Sequence, residues 1–118
     1  MSQPCSAVEL VLFDARELTE PSIRDEIDTV VQLGVLAGAV LDEARVADVV
    51  DAAGQADRFG FWFGDEGVWP FERALSFANI EPGRTVFVSS DANARQMALS
   101  LGLRTYDDRT AGIAALLP

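Results

Sequence analysis

The feature that most constrains the fold is a fivefold alternation of a short strand-like run with a longer segment that has helix signals. The runs are "AVELVLF" (7–13), "VLAGAVL" (35–41), "RFGFWFG" (58–64), "RTVFVSS" (84–90) and "LRTY" (103–106). Strands buried on both faces of a parallel sheet are nearly continuous in apolar residues, and parallel neighbours need crossover helices. The sequence therefore predicts an α/β fold: a three-layer, Rossmann-like domain around a five-stranded, mainly parallel sheet.

The intervening segments predict helices at about 20–33, 42–53, 70–78 and 91–101, and from about 109 onward. Asp42 and Asp91 are predicted N-caps, and Gly102 is placed to end the fourth helix. The residues predicted to face inward from the first two helices are Ile23, Ile27, Val30, Val31, Val46, Val49, Val50 and Ala53. In the third run, alternation predicts Phe59, Phe61 and Phe63 on one side and Trp62 on the other.

Composition limits both the size and the partners of the chain. Its 118 residues, 49% hydrophobic, suit a single domain covering 1–118. The net charge is −10 and all nine basic residues are arginine, so nucleic acid and anionic membrane surfaces are not expected partners.

Cysteine use and hydropathy predict the compartment. Cys5 is the only cysteine, which excludes an internal disulfide. The longest apolar stretch, at 30–41, is too short for a membrane span, and no signal peptide opens the sequence. The sequence therefore predicts a cytoplasmic location and no membrane association.

Polar residues follow the predicted strands. In parallel sheets, chemistry takes place beyond the carboxyl ends of the strands. Asp14, Asp42, Asp65 and the Ser89–Asp91 cluster stand at those ends, so we expect several acids and hydroxyls to meet at one edge. Asp and Ser at such junctions are also ordinary helix caps, so their position alone does not establish a function.

Two stretches resemble the haloacid dehalogenase (HAD) superfamily of Rossmann-like hydrolases. They are "LVLFDA" (10–15) and "FERALSFANIEPGRTVFVSSDANARQMALSLGLRTY" (71–106). The pair "FDA" and "FVSS" is most similar to the haloacid dehalogenase branch. The resemblance implies that Asp14 is a nucleophile that forms an ester, which water then hydrolyses, and that Ser89 and Ser90 belong to its catalytic loop.

The same resemblance exposes departures from the family pattern. Arg16 stands where phosphatases have a general acid, and an arginine cannot shuttle protons at neutral pH. Leu41 and Asp42 replace a Ser or Thr, and Ala94 replaces an acid. No lysine is present, and Arg73 is the nearest substitute.

Only about 20 residues separate the first two strands, which leaves no room there for the cap domain that covers small substrates in this family. Together with the departures, this predicts a capless pseudoenzyme with a degenerate site and a binding or regulatory role.

Two other functions remain open at this stage. The first is weak magnesium-dependent phosphatase or haloacid hydrolase activity through Asp14, with Asp14 and Asp91 as the magnesium ligands; no other cofactor is expected. The second is a pseudo-receiver signalling domain with Asp65 as phosphate acceptor and Ser89 or Ser90 as the switch hydroxyl. Strand order distinguishes the pseudo-receiver from a HAD-superfamily member. A superfamily member places the fourth strand beside the first, whereas a receiver places the third strand beside the first.

Arg16 and the aromatic segment complete the candidate residues. Arg16 can form an anion-binding pocket, or it can pair with Asp14 or a neighbouring acid. Trp62, Trp69 and Phe71 are candidates for the rim of an apolar patch near the sheet edge. This patch predicts a protein partner or a homodimer.

Overall fold

The computed structural model describes residues 8–114 and 116, so Cys5 and the start of the first predicted strand lie outside the described residues. Strands and helices alternate along the chain. The strands are β1 (Leu10–Asp14), β2 (Leu36–Leu41), β3 (Phe61–Gly64), β4 (Thr85–Val88) and β5 (Arg104–Tyr106). The helices are α1 (Ile23–Gln32), α2 (Val46–Ala52), α3 (Phe71–Ala78), α4 (Ala92–Ser100) and α5 (Arg109–Ala114).

All strand pairs are parallel, and the sheet order is β3-β2-β1-β4-β5. Phe13 of β1 lies between Ala39 of β2 and Val88 of β4. This confirms the five-stranded parallel α/β sheet. The pseudo-receiver alternative was wrong, because β4, and not β3, lies beside β1.

Helices cover both faces of the sheet, which confirms the three-layer arrangement. On one face, α1 and α2 pack on the sheet through Ile23, Ile27, Val30, Val46 and Val50. On the other, α3 and α4 pack through Phe71, Ala74, Ala94 and Ala98. Gly112 lets α5 approach β4 closely, since a Cβ at this glycine would lie 2.4 Å from Val88 Cγ1. The chain between β1 and β2 holds one 3-10 turn (Ala15–Glu17) and α1, with no inserted cap.

Several predicted details were wrong. Asp42 does not cap α2, because that helix begins at Val46 after Arg45, without a side-chain cap. Val31 is exposed, although Ile27 and Val30 on the same helix are buried. Phe59 packs against Phe13 on the opposite face from Phe61, with 5.9 Å between the rings of Phe59 and Phe13. The strand alternation begins only at Phe61, so it does not determine the side of Phe59.

The predicted aromatic surface is only partly correct. Trp69 and Phe71 are 7% and 0% exposed and stack on each other over Phe87, so the prediction that they rim a surface patch was wrong. Burying these large rings is more favourable than leaving them in water. Trp62 is half-buried, and Phe77, which was not predicted, is 63% exposed.

Within the described ranges, no helix has both the length and the apolar character that a bilayer span requires.

Candidate functional site

Asp14 lies at the carboxyl end of β1 and is almost completely buried, with 3% of its surface exposed. Each of its carboxylate oxygens accepts a hydrogen bond. The backbone N–H of Arg16 donates to Oδ1 at 3.0 Å, and the Ser89 hydroxyl donates to Oδ2 at 2.7 Å. The structure therefore brings Asp14 and Ser89 together, as their strands predict, but both oxygens of the candidate nucleophile already have partners.

The pKa of the Asp14 carboxyl lies above its ordinary value. Burial is the main cause, because it penalises the charged form. The hydrogen bonds from Ser89 and from the backbone N–H of Arg16, together with the positive charge of Arg16, lower the pKa but do not reverse this effect. The fold thus holds Asp14 where its ionised form is costly.

Arg16 connects the ends of three strands. Its Nη2 lies 2.9 Å from Asp91 Oδ2 and 3.8 Å from Asp42 Oδ1, and its Nε lies 3.6 Å from Asp14 Oδ1. The guanidinium also lies over the Trp69 ring, 5.2 Å from its centroid. These contacts favour the pairing interpretation of Arg16, because the side chain faces carboxylates and an aromatic ring.

The charges around Arg16 agree with this arrangement. Burial opposes the protonated form of Arg16, but Asp14, Asp42 and Asp91 together raise its pKa above the ordinary value. The guanidinium therefore remains positively charged throughout the physiological range.

Asp91 has two structural roles. Its Oδ1 accepts hydrogen bonds from the backbone N–H groups of Asn93 and Ala94, at 2.9 and 3.2 Å, which confirms that it is the N-cap of α4. Its Oδ2 accepts the hydrogen bond from Arg16. The bond from the Ala94 N–H is the largest contribution that lowers the pKa of Asp91.

Ser90 is also held by the protein itself. Its backbone N–H and its hydroxyl both donate to Glu17 Oε2, at 2.7 and 3.0 Å. The other Glu17 oxygen accepts a 2.6 Å hydrogen bond from Arg109 at the start of α5. Arg109 also contacts Glu20 and Glu26, so one cation joins α5 to three acids of the 15–26 region.

Sequence reasoning missed three members of this network: Glu17, Arg109 and Arg95. Glu17 and Arg109 are 92 positions apart, so no local pattern links them. Arg95 donates from Nη1 to the Ser89 carbonyl at 2.8 Å and so fixes the loop after β4. In the sequence, the only signal for Arg95 was its position one turn into the fourth helix. Arg73, considered as the lysine substitute, lies over the Phe63 ring at 5.0 Å.

Magnesium does not fit these residues as they stand. The two expected ligands, Asp14 and Asp91, have the Arg16 guanidinium between them. Both Asp14 oxygens accept hydrogen bonds from the protein, and Asp91 Oδ1 is used to cap α4. Within residues 8–114, no three acidic or cysteine side chains are arranged to hold a metal ion together.

Solved structures that are similar to this chain include two HAD-superfamily hydrolases and a predicted phosphoglycolate phosphatase. A HAD-superfamily hydrolase of subfamily IA from Geobacter sulfurreducens aligns with a TM-score of 0.70 at 13% identity, over 84% of this chain and 88% of that chain. A HAD-superfamily hydrolase from Ehrlichia chaffeensis aligns at 0.66 and 18% identity, over 83% of this chain and 58% of the other. A predicted phosphoglycolate phosphatase from Haemophilus somnus aligns at 0.62 and 18% identity, over 83% and 50%.

These likenesses establish the fold. The chain has the HAD-like α/β fold, as the sequence predicted, and spans only about half of two of the three proteins named. No protein-family model and no curated protein sequence matches it. The capless form and the degenerate motifs therefore have only this chain's own residues as support.

Proposed function

We propose that the chain is a catalytically inactive HAD-like domain, a pseudoenzyme whose role is to bind protein. The observation that carries this proposal is the state of Asp14, which is buried with one oxygen held by the Ser89 hydroxyl and the other by the Arg16 backbone. A nucleophilic carboxylate must present an oxygen to the substrate. In this site, both oxygens face groups of the protein.

The surroundings of Asp14 support the same proposal. Arg16 cannot protonate a leaving group at neutral pH, since its guanidinium stays charged. Ser90, the other loop hydroxyl, is engaged by Glu17. A pocket of about 260 Å³ beside Ser90 is lined mainly by acids, which repel phosphate and carboxylate substrates; its lining is Glu17, Glu20, Ser90, Asp107, Asp108 and Arg109.

The surface proposed for protein binding is the open edge of β3. This strand ends the sheet, and its neighbour Gly60 donates its N–H to Ala37 of β2 at 2.9 Å. Because backbone groups alternate in direction along a strand, those of Phe61 and Phe63 point to the open side. The exposed Phe77 ring lies 5.5 Å from the Phe63 ring beside this edge.

An edge strand that lies beside an exposed aromatic ring, here Phe77, can accept a further strand. The proposed partner is a second copy of the chain, and this self-association can be measured with the purified protein alone. Since each copy carries a net charge of −10, self-association should strengthen as salt screens the repulsion.

The catalytic half of the proposal is tested with phosphate monoesters and short 2-haloacids, assayed with and without magnesium. Wild type is compared with Asp14→Asn, which keeps the size of the side chain and removes the nucleophilic carboxylate. We expect no turnover above background in either protein. Turnover that is lost in Asp14→Asn would instead support the alternative, a weak hydrolase that uses Asp14.

The binding half is tested by analytical ultracentrifugation at low and moderate salt. Phe77→Ala and Trp62→Ala should weaken self-association of the wild type. Leu99→Ala, at an exposed position of α4, is the matched control and should leave it unchanged. A wild type that is monomeric at every concentration and salt level contradicts self-association.

A further inference from the structure

The two edges of the sheet differ in how they are protected. β5 forms one edge and begins with Arg104, and Asp107 and Asp108 follow it directly. β3 forms the other edge, and its sequence, FWFG, includes no charged residue and no proline. Charges and prolines are common protection against the addition of a further strand. In the described part of the chain, each copy therefore offers one edge without this protection.

The backbone of β3 is complementary to a second, antiparallel β3. Its outward groups are those of Phe61 and Phe63, because Gly60 donates to β2 on the inner side. Identical strands that pair around a twofold axis run antiparallel. With Trp62 on the axis, Phe61 lies opposite Phe63 of the partner subunit, and each such pair exchanges both of its backbone hydrogen bonds. Other twofold registers leave one of these residues opposite a residue outside the strand.

Phe77 lies level with the centre of the same edge. The centroid of its ring is 5.3 Å from that of Phe61 and 5.5 Å from that of Phe63. An axis through Trp62 therefore brings the Phe77 rings of the two copies towards each other. The ring is 63% exposed in the single chain, so covering it removes a large apolar side chain from water.

The charges at the ends of β3 also favour the antiparallel arrangement. Asp65 and Glu66 follow the strand, and Arg58 precedes it. A parallel pair would place two acidic ends side by side, whereas an antiparallel pair places each acidic end beside the Arg58 end of the other copy. Arg58 keeps its 3.0 Å contact with Asp28 of its own copy, so the gain is reduced repulsion and not a new ion pair.

We propose that two copies of the chain join through β3 as an antiparallel pair with Trp62 on the twofold axis. This arrangement rests on the self-association put forward under the proposed function. Since each copy has one unprotected edge, the pair uses both edges and forms a closed dimer, not a filament. The two five-stranded sheets then form one continuous sheet.

The arrangement is tested by disulfide cross-linking of single-cysteine variants. Every variant carries Cys5→Ser, because Cys5 is the only cysteine of the sequence. The test positions are Phe61→Cys, Trp62→Cys and Phe63→Cys. Leu99→Cys, at an exposed position of α4, is the matched control for random collisions. Oxidised proteins are resolved on a non-reducing gel, and ultracentrifugation under reducing conditions shows which variants still associate.

We expect Trp62→Cys to become a cross-linked dimer, because Cα atoms opposed at such a position lie about 4.5 Å apart, close enough for a disulfide. Phe61→Cys alone and Phe63→Cys alone should not cross-link, because identical residues there lie about 8 Å apart, which is too far. A mixture of these two variants should cross-link, because their cysteines lie opposite one another.

A Trp62→Cys protein that associates but does not cross-link would overturn the arrangement and leave self-association standing. Cross-linking of Phe61→Cys, Phe63→Cys or Leu99→Cys alone as readily as of Trp62→Cys would have the same consequence.

If the cysteine variants do not associate, amide hydrogen exchange of the wild type decides. The amides of Phe61 and Phe63 should exchange about tenfold more slowly in the dimer than in the dilute monomer. A dimer without this slowing would overturn the arrangement, and a wild type that is monomeric throughout would refute self-association together with it.

Discussion

Replacing Arg16 by alanine should destabilise the fold measurably, although the side chain is 43% exposed. The substitution removes the guanidinium and keeps the backbone N–H that donates to Asp14 Oδ1. Asp14 therefore retains its hydrogen bonds but loses its nearest positive charge. Asp42 and Asp91 lose the same cation and are left facing one another across the space it occupied.

The size of the effect follows from the three kinds of contact. The Arg16–Asp91 pair is partly exposed and contributes about 0.5 kcal/mol. The contact with Trp69 adds about 0.5 kcal/mol. Loss of the charge beside buried Asp14 costs about 1 kcal/mol, less than for a fully buried pair, because solvent reaches Arg16 and would reach the space it leaves. The total is about 2 kcal/mol.

Urea unfolding at neutral pH, followed by circular dichroism, measures this difference. In thermal unfolding of a domain of this size, a loss of about 2 kcal/mol lowers the midpoint temperature by about 8 °C. The matched control is Arg45→Ala, because Arg45 is 72% exposed and its ion pair with Glu43 at 3.3 Å is solvated. We expect Arg45→Ala to change stability by less than about 0.5 kcal/mol. If Arg16→Ala is no more destabilised than this control, Arg16 does not hold the cluster together.

Three further predictions concern neighbouring groups. Burial raises the pKa of Asp14, so the folded state holds the carboxyl proton more tightly than the unfolded state does. Wild-type stability should therefore fall as the pH rises from the unfolded pKa of Asp14 through its folded pKa. In urea titrations, the unfolding free energy of Asp14→Asn relative to that of wild type should rise over the same pH window. Asp91→Ala should lower the unfolding free energy in urea by about 1 kcal/mol, because it removes the α4 cap. Asp91→Asn should lower it less, since asparagine also caps helices, and equal losses in the two variants would contradict the capping role. Arg109→Ala removes the cation from partly buried Glu17 and Glu26 and should cost about 2 to 3 kcal/mol by thermal unfolding. A change below about 0.5 kcal/mol would exclude a structural role for this cluster.

Local sequence signals predicted the secondary structure and the sheet architecture. Alternating apolar runs give the order of strands and helices because periodicity is a property of neighbouring residues. The cap formed by Asp91 and the turn at Gly102, where φ is +94°, could be predicted for the same reason. Asp42 carries a similar signal, but α2 begins only at Val46, so this aspartate remains free to face Arg16.

The contacts that define the site could not be predicted in this way. Glu17 meets Ser90 across 73 positions, and Arg16 meets Asp91 across 75. Such pairs depend on which strand ends are neighbours and on side-chain directions that no local pattern determines. The same limit applies to Trp69, whose burial depends on Phe71 and Phe87 packing beneath it.

The most direct test of the central claim is the rate of hydrolysis by wild type and Asp14→Asn, measured side by side at equal concentration with magnesium present and absent. The account predicts that the two proteins cannot be distinguished from each other or from a protein-free blank on phosphate monoesters and 2-haloacids. A wild-type rate that rises above the blank and disappears in Asp14→Asn would contradict it, because Asp14 would then be a working nucleophile despite its hydrogen bonds to Ser89 and Arg16.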